Sequence, residues 1–171
     1  MKKIYSILVA LTICGLFFTK ASAQMKTGDW HYDLGVNVAA PIRNLSYYTS
    51  VGIGIDAAAT TSIAENVNVG ARVNYSYFIG QTPLLATESH GANVVNLLAD
   101  GSYNFPYNIF AGIDLGVGFL TSNGQSDTEF ARIFNAGYKW EQSKAHTFIF
   151  TLYFDQTTYQ KCLGARAAIR F

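Results

Sequence analysis

The sequence predicts an all-β fold: an antiparallel, up-and-down, eight-stranded transmembrane β-barrel. Three observations predict it. First, residues 162–171 alternate. Leu163, Ala165, Ala167, Ile169 and Phe171 share one face, while Gly164, Arg166, Ala168 and Arg170 share the other. Side chains of a strand repeat every two residues, so this is one apolar face and one polar face. Second, seven stretches of the same kind precede it. Third, the composition is unusual. Charged residues make up only 13% of the 171, about half the usual share, and aromatic residues reach 15%. Glycine is plentiful at 15 and proline scarce at 3. Few charges with many rings and glycines suit strands that meet something other than water.

The first 23 residues follow a different logic. Lys2 and Lys3 precede a mostly apolar run over 4–18, and Ala21, Ser22 and Ala23 form a small-residue cleavage site. That is the pattern of a secretory signal peptide, cut between Ala23 and Gln24, leaving 24–171 as a single barrel domain. Cys14 raises the question of a lipid anchor, but Ile13 stands where a small residue is expected. Without Lys2, Lys3 and Lys20, nine of the 12 basic residues remain against 11 acidic ones, a net charge of −2. Nothing in that balance points to nucleic acid. Cys162 is then the sole cysteine, which excludes an internal disulfide and a cysteine-based metal site. No stretch after residue 24 approaches the roughly 18 apolar residues of a spanning helix.

The strands follow in order. The first covers 28–40: Trp30, Tyr32, Leu34, Val36 and Val38 alternate with His31, Asp33, Gly35 and Asn37. Pro41 is expected to end it, because proline lacks the N–H that a ladder uses. The second covers 51–60, with Ile53, Ile55 and Ala57 opposite Gly54 and Asp56. The third, 67–79, sets Val69, Val73, Tyr75 and Tyr77 opposite Asn68, Gly70, Arg72 and Asn74. The fourth, 95–105, sets Leu97, Tyr103 and Phe105 opposite Asn96, Asp100 and Ser102. A tight turn at Pro106, Tyr107 and Asn108 leads to the fifth, 109–121, with Ile113, Leu115, Val117 and Phe119 opposite Gly112, Asp114 and Gly116. The sixth, 130–140, sets Phe130, Phe134, Tyr138 and Trp140 opposite Asn135, Gly137 and Lys139. The seventh, 146–155, carries Phe148, Phe150, Leu152 and Phe154 on one face and Thr147, Thr151, Tyr153 and Asp155 on the other. The eighth is the stretch 162–171.

The connections between these strands alternate long and short, with 122–128 expected as a polar loop. Outer-membrane barrels have short periplasmic turns and longer external loops, which orients the first strand upward from the periplasm. Aromatic residues on the apolar faces then gather at two levels. Trp30, Tyr32, Tyr103, Phe105, Tyr138, Trp140 and Phe171 lie near periplasmic ends; Tyr75, Tyr77, Phe119, Phe130 and Phe154 lie near external ends. Girdles of this kind mark the two membrane interfaces. Asp33, Asp56, Arg72, Asp100, Asp114, Lys139, Asp155, Arg166 and Arg170 all fall on the opposite, lumen face, and Arg132 is the one exception. A basic residue facing lipid at mid-depth costs about 2–4 kcal/mol, so the charged face is the inner one. A soluble lipocalin-like barrel inverts this pattern.

With the leader, the eight strands and the terminal Phe171 in place, residues 28–171 resemble the small outer-membrane β-barrel family, the OmpA-transmembrane-domain and OmpX-like barrels. The resemblance is architectural and carries no catalytic motif. It implies location in a Gram-negative-type outer membrane, with contact to its lipid and lipopolysaccharide. It implies insertion by the barrel assembly machinery, for which Phe171 is the expected signal. A monomer is expected, with an unknown surface ligand at the external loops and no cofactor.

Candidate chemistry is sparse. Asp56, Arg72, Asp100 and Asp114 lie at matching distances from their turns, so an ionic ladder across four strands is expected; Arg166 and Arg170 are expected beside Asp33 through barrel closure. Such a ladder serves either an ion path or structure. Eight strands leave room for little beyond side chains, which favours structure. His31, His90 and His146 lie in separate segments without metal-ligand spacing. Some eight-stranded outer-membrane barrels modify lipid A as acyltransferases or deacylases. His90, with Glu88 and Ser89, lies in the second external loop where such chemistry would sit, and three such residues in a loop are common by chance. The reading is therefore a non-enzymatic barrel serving envelope integrity, surface interaction or adhesion; the alternatives are a narrow channel for small or hydrophobic solutes, then a lipid A-modifying enzyme. Arg132, between Phe130 and Phe134, is expected near the external interface as a lipopolysaccharide contact, unless a bulge at Ala131 turns it inward.

Overall fold

Each of the eight strands pairs antiparallel with its neighbour in sequence, and the last pairs with the first, closing a barrel. The structure is a computed structural model that describes residues 28, 30–42, 46, 49–80, 91–141, 147–157 and 161–171. The signal-peptide residues, including Ala23 and Gln24, lie outside the described residues, as do Glu88, Ser89, His90 and His146. The strands are β1 (Trp30–Ile42), β2 (Thr49–Ala64), β3 (Val67–Gly80), β4 (Ala92–Asn104), β5 (Ile109–Ser122), β6 (Gln125–Glu141), β7 (Thr147–Gln156) and β8 (Lys161–Arg170).

Two expectations about strand ends need correction. Pro41 does not end β1, which runs on to Ile42. The last β1–β2 pair is Ala39 with Gly52, and Pro41 is partnered by Cys162 of β8. Beyond Ala39 the strand pairs on one side, so a missing N–H is tolerated there, as on an edge strand. The second correction is larger. The expected polar loop over 122–128 is a two-residue hairpin, with Ser122 partnered by Gln125. Asn123 and Gly124 have φ of 50° and 72°. Both central residues of a type I′ turn need positive φ, and Asn-Gly supplies it at least cost. β6 therefore continues through residues 125–131 beyond its last pair with β7, Arg132 with Gln156, held there by β5.

The register fixes the barrel's shape. From Tyr32, partners run through Ala59, Ala71, Ala99, Leu115, Arg132, Gln156 and Lys161, and return to Ile42, ten residues farther along β1. A stagger of that size over eight strands tilts them by roughly 40° and gives a radius of about 8 Å. Each register step around the barrel rises about 3 Å along its axis, and each residue along a strand about 2.5 Å.

Burial alternates inside-out. Ile55 and Leu152 are 62% and 68% exposed, while Asp114 and Asn96 are 0% and 1% exposed. The apolar face thus points outward and the polar face into the barrel, the reverse of a soluble barrel. No helix among the described residues is long and apolar enough to cross a membrane. Large inward rings face glycines on the next strand. Phe78 is the partner of Gly52, Phe110 of Gly137 and Tyr153 of Gly164. A Cβ at Gly164 would lie 2.2 Å from the Tyr153 ring. Each ring lies over the space that its glycine leaves open, which keeps the wall and the lumen packed together.

Candidate functional site

Two surfaces can carry function, the lumen and the outer wall. The lumen is layered. At the periplasmic end Arg170 meets Asp33 with two hydrogen bonds, Nε to Oδ1 at 2.7 Å and Nη2 to Oδ2 at 2.8 Å. The two are register partners, so barrel closure itself brings them together. Lys139 donates to Asn104 Oδ1 at 2.5 Å and lies over the Phe110 ring, 5.4 Å from its centre.

The middle layer is an ionic cluster around Arg72. Its guanidinium donates to Asp56 and, at 2.7 Å, to Asp100, and Nε lies 3.4 Å from Asp114. Arg72 is the partner of Ala58 on one side and Leu98 on the other, two residues from both Asp56 and Asp100. Its length bridges that offset. Asp100 and Asp114 are direct partners, so two carboxylates face each other across β4 and β5. Asn135 Nδ2 donates to Asp114 Oδ1 at 2.9 Å. Arg166 does not meet Asp33. Its partner on β1 is Asn37, its Nε lies 3.0 Å from Asp56, and its guanidinium lies over the Tyr153 ring. Four residues separate Arg166 from Arg170, which is a full layer of the barrel. Asp155 is also buried, closer to the external end.

Above the Arg72 cluster, and around Asp155, lies an apolar layer of which the sequence reading placed only Leu98, Ile133 and Tyr153 on the inner face. Phe78, Val94, Leu98, Ile133, Tyr153 and Cys162 form a buried cluster on the inner face. The signal was present in β3 and β4, where Phe78 and Val94 fall in phase with the polar positions. Together the layers leave enclosed spaces of about 20 Å³ and 10 Å³. Each is close to the minimum needed for one water. Among the described residues six buried or half-buried inward carboxylates, Glu129 near the external end included, stand against four inward cations, a formal excess of two negative charges. Among the described residues no three His, Cys, Asp or Glu side chains group in a way that could hold a metal ion.

The outer wall is apolar between its rims. Phe154 departs from its expected place in the external girdle. β7 stops low, so Phe154 lies only about 14 Å above Tyr32, while Tyr77 and Phe119 lie about 21–23 Å above it. Arg132 is exposed, with its neighbours Ala131 and Ile133 buried, and the β5–β6 register runs without a shift. The inward bulge is thus excluded. Arg132 lies about 16 Å above Tyr32 and about 5 Å below Phe130, in the upper third of the apolar band. It is not the sole outward charge. β8 begins at Lys161, one residue before the expected start, and Lys161 is in phase with outward Leu163 and Ala165. Phe171 is exposed and exchanges backbone hydrogen bonds with Tyr32, at 2.9 and 3.3 Å.

No family model matches the chain, and no curated protein matches it either. Solved structures do. The chain is similar to the attachment invasion locus protein Ail of Yersinia pestis, with a TM-score of 0.54 and 11% identity over 84% of this chain and 99% of that one. It is similar to Neisserial surface protein A, with a TM-score of 0.55 and 8% identity over 84% of this chain and 96% of that one. The outer membrane protein OprG from Pseudomonas aeruginosa gives a TM-score of 0.50 and 11% identity over 86% of this chain and 97% of that one. What is shared at such identities is the fold, that of small outer-membrane barrels.

Proposed function

We propose that this chain is a non-enzymatic integral barrel of the outer membrane. It is exported by a signal peptide cut between Ala23 and Gln24, inserted by the barrel assembly machinery with Phe171 as a recognition element, and acts in envelope integrity or surface interaction. The observation that carries this reading is the pairing of an apolar outer wall with a filled lumen. A filled lumen leaves the outer surfaces as the working parts. The projecting β5–β6 hairpin reaches beyond the bilayer. The fold shared with an attachment protein of Yersinia pestis supports the same reading.

The interior charges have a structural role in this account. Asp33, Asp56, Arg72, Asp100, Asp114, Arg166 and Arg170 pair with one another, Lys139 is held by Asn104 and Asp155 is buried, and in this reading all nine set the register of a narrow barrel. The narrow-channel alternative makes the opposite claim, which separates the two cleanly. Purified, folded protein in a planar bilayer is expected to hold the baseline, without discrete current steps. Cells displaying a chain with the β5–β6 hairpin trimmed back to Phe119 and Thr128 are expected to lose surface attachment, with the barrel still folded. Steady conductance steps, or attachment indifferent to the hairpin, would contradict the reading.

A further inference from the structure

Of the charged side chains on the described strands, Arg132 and Lys161 alone occupy outward positions. The register puts them in one row. Arg132 is the partner of Gln156, and Gln156 is the partner of Lys161. Two strand spacings separate the cations, about 10 Å between backbones. Both stand in the upper part of the apolar band, where long basic side chains reach toward the headgroups along an apolar stem. Two cations side by side in an otherwise uncharged wall repel each other and favour an anion between them.

Below the row, past the outward Phe134, Phe154 and Leu163, the wall is hollow. Ala165 and Ala167 project outward from β8 between larger neighbours, Phe150 and Leu152 on β7 and Val38 on β1, and the depression holds about 680 Å³. Lys161 stands four residues above Ala165 on the same face, about 13 Å along the strand. Arg132 stands four residues above Ala136, which lines the same depression on the far side of Leu152. A polar, cationic head over an apolar trough has the shape and charge of one ligand class, an anionic lipid.

We propose that Arg132, Gln156 and Lys161 bind the phosphate of a phosphorylated lipid of the external leaflet, with an acyl chain of that lipid lying in the Ala165–Ala167 groove. The site rests on the outer-membrane reading and extends it from general lipid contact to one seat on the barrel. Arg132 supplies a planar guanidinium able to bind phosphate oxygens with two parallel hydrogen bonds, Lys161 a compact charge, and Gln156 an amide donor. Leu152 and Phe150 give the chain a flank on β7, and Val38 gives it one on β1.

The test uses the mature chain folded into phosphatidylcholine vesicles doped with diphosphoryl lipid A, and measures lipid A enriched around the protein. The wild type is expected to enrich it. Arg132→Gln with Lys161→Gln should reduce the enrichment by at least about tenfold, the effect of losing charge-assisted hydrogen bonds. Ala165→Phe, or Ala167→Phe in its place, should reduce it with both charges intact, and dephosphorylated lipid A should not be enriched. Heat-modifiable migration on the same samples reports folding. Folded variants that enrich lipid A like the wild type would overturn the site, as would full displacement by inorganic phosphate alone. A wild type that inserts but shows no preference defeats this inference and leaves the outer-membrane reading standing. A wild type that does not insert defeats both.

Discussion

Arg72→Ala is expected to lower stability by about 3–5 kcal/mol, the usual loss when one partner of a buried ionic group is removed. The reason is local. Arg72 contacts Asp56, Asp100 and Asp114 at once, and all three are buried. Asp56 keeps Arg166 at 3.0 Å, so its loss is partial. Asp100 and Asp114 fare worse. They are direct register partners, and without Arg72 two carboxylates face each other at close range. Arg72→Met combined with Asp100→Leu removes a charge from each side and should recover part of the loss. Urea titration of the folded protein in lipid vesicles checks both. Equal midpoints for the wild type and Arg72→Ala would show that water, not Arg72, solvates the carboxylates.

The second large effect is expected at Gly116. A Cβ there would lie 1.9 Å from the carbonyl oxygen of Leu97 and 2.8 Å from the Cα of Leu98. Both are backbone atoms of β4, so no side chain can swing away to make room. Gly116→Ala must push β4 and β5 apart in the middle of their ladder. Overpacking of a core costs about 1–3 kcal/mol, and a clash with backbone belongs at the upper end or above. Gly101→Ala is the control, because its new Cβ would meet only the Ile113 oxygen at 3.7 Å. The same urea titration should show a large loss for Gly116→Ala and little change for Gly101→Ala. Similar behaviour of the two would mean that close backbone approach does not set the register here.

The strand content was legible in the sequence because a two-residue period needs no knowledge of neighbours. Asp56 and Leu152 could be assigned to opposite faces from their own strands alone. Turn geometry was equally local but was overlooked at Asn123 and Gly124, where a polar composition concealed a hairpin signal. What could not be read was set by the stagger between strands. The offset of ten residues around the barrel decides that Arg166 meets Asp56 rather than Asp33. It also lowers Phe154 below the external girdle and brings Arg132, Gln156 and Lys161 into one row. None of these follows from a single strand. The apolar layer of Phe78 and Val94 was hidden for another reason, since an expectation of a polar lumen discounts apolar residues that fall in phase with it.

The central claim is that the apolar wall faces hydrocarbon. Spin labels at Phe148, Phe150, Leu152, Phe154 and Gln156 of β7 test it most directly, placed one at a time in a Cys162→Ala background in lipid vesicles. Accessibility to dissolved oxygen should peak at Leu152, which lies nearest the middle of the apolar band. Accessibility to a water-soluble nickel chelate should be lowest there and rise toward Phe148 and Gln156. High nickel accessibility at Leu152 would place that face in water and contradict the account.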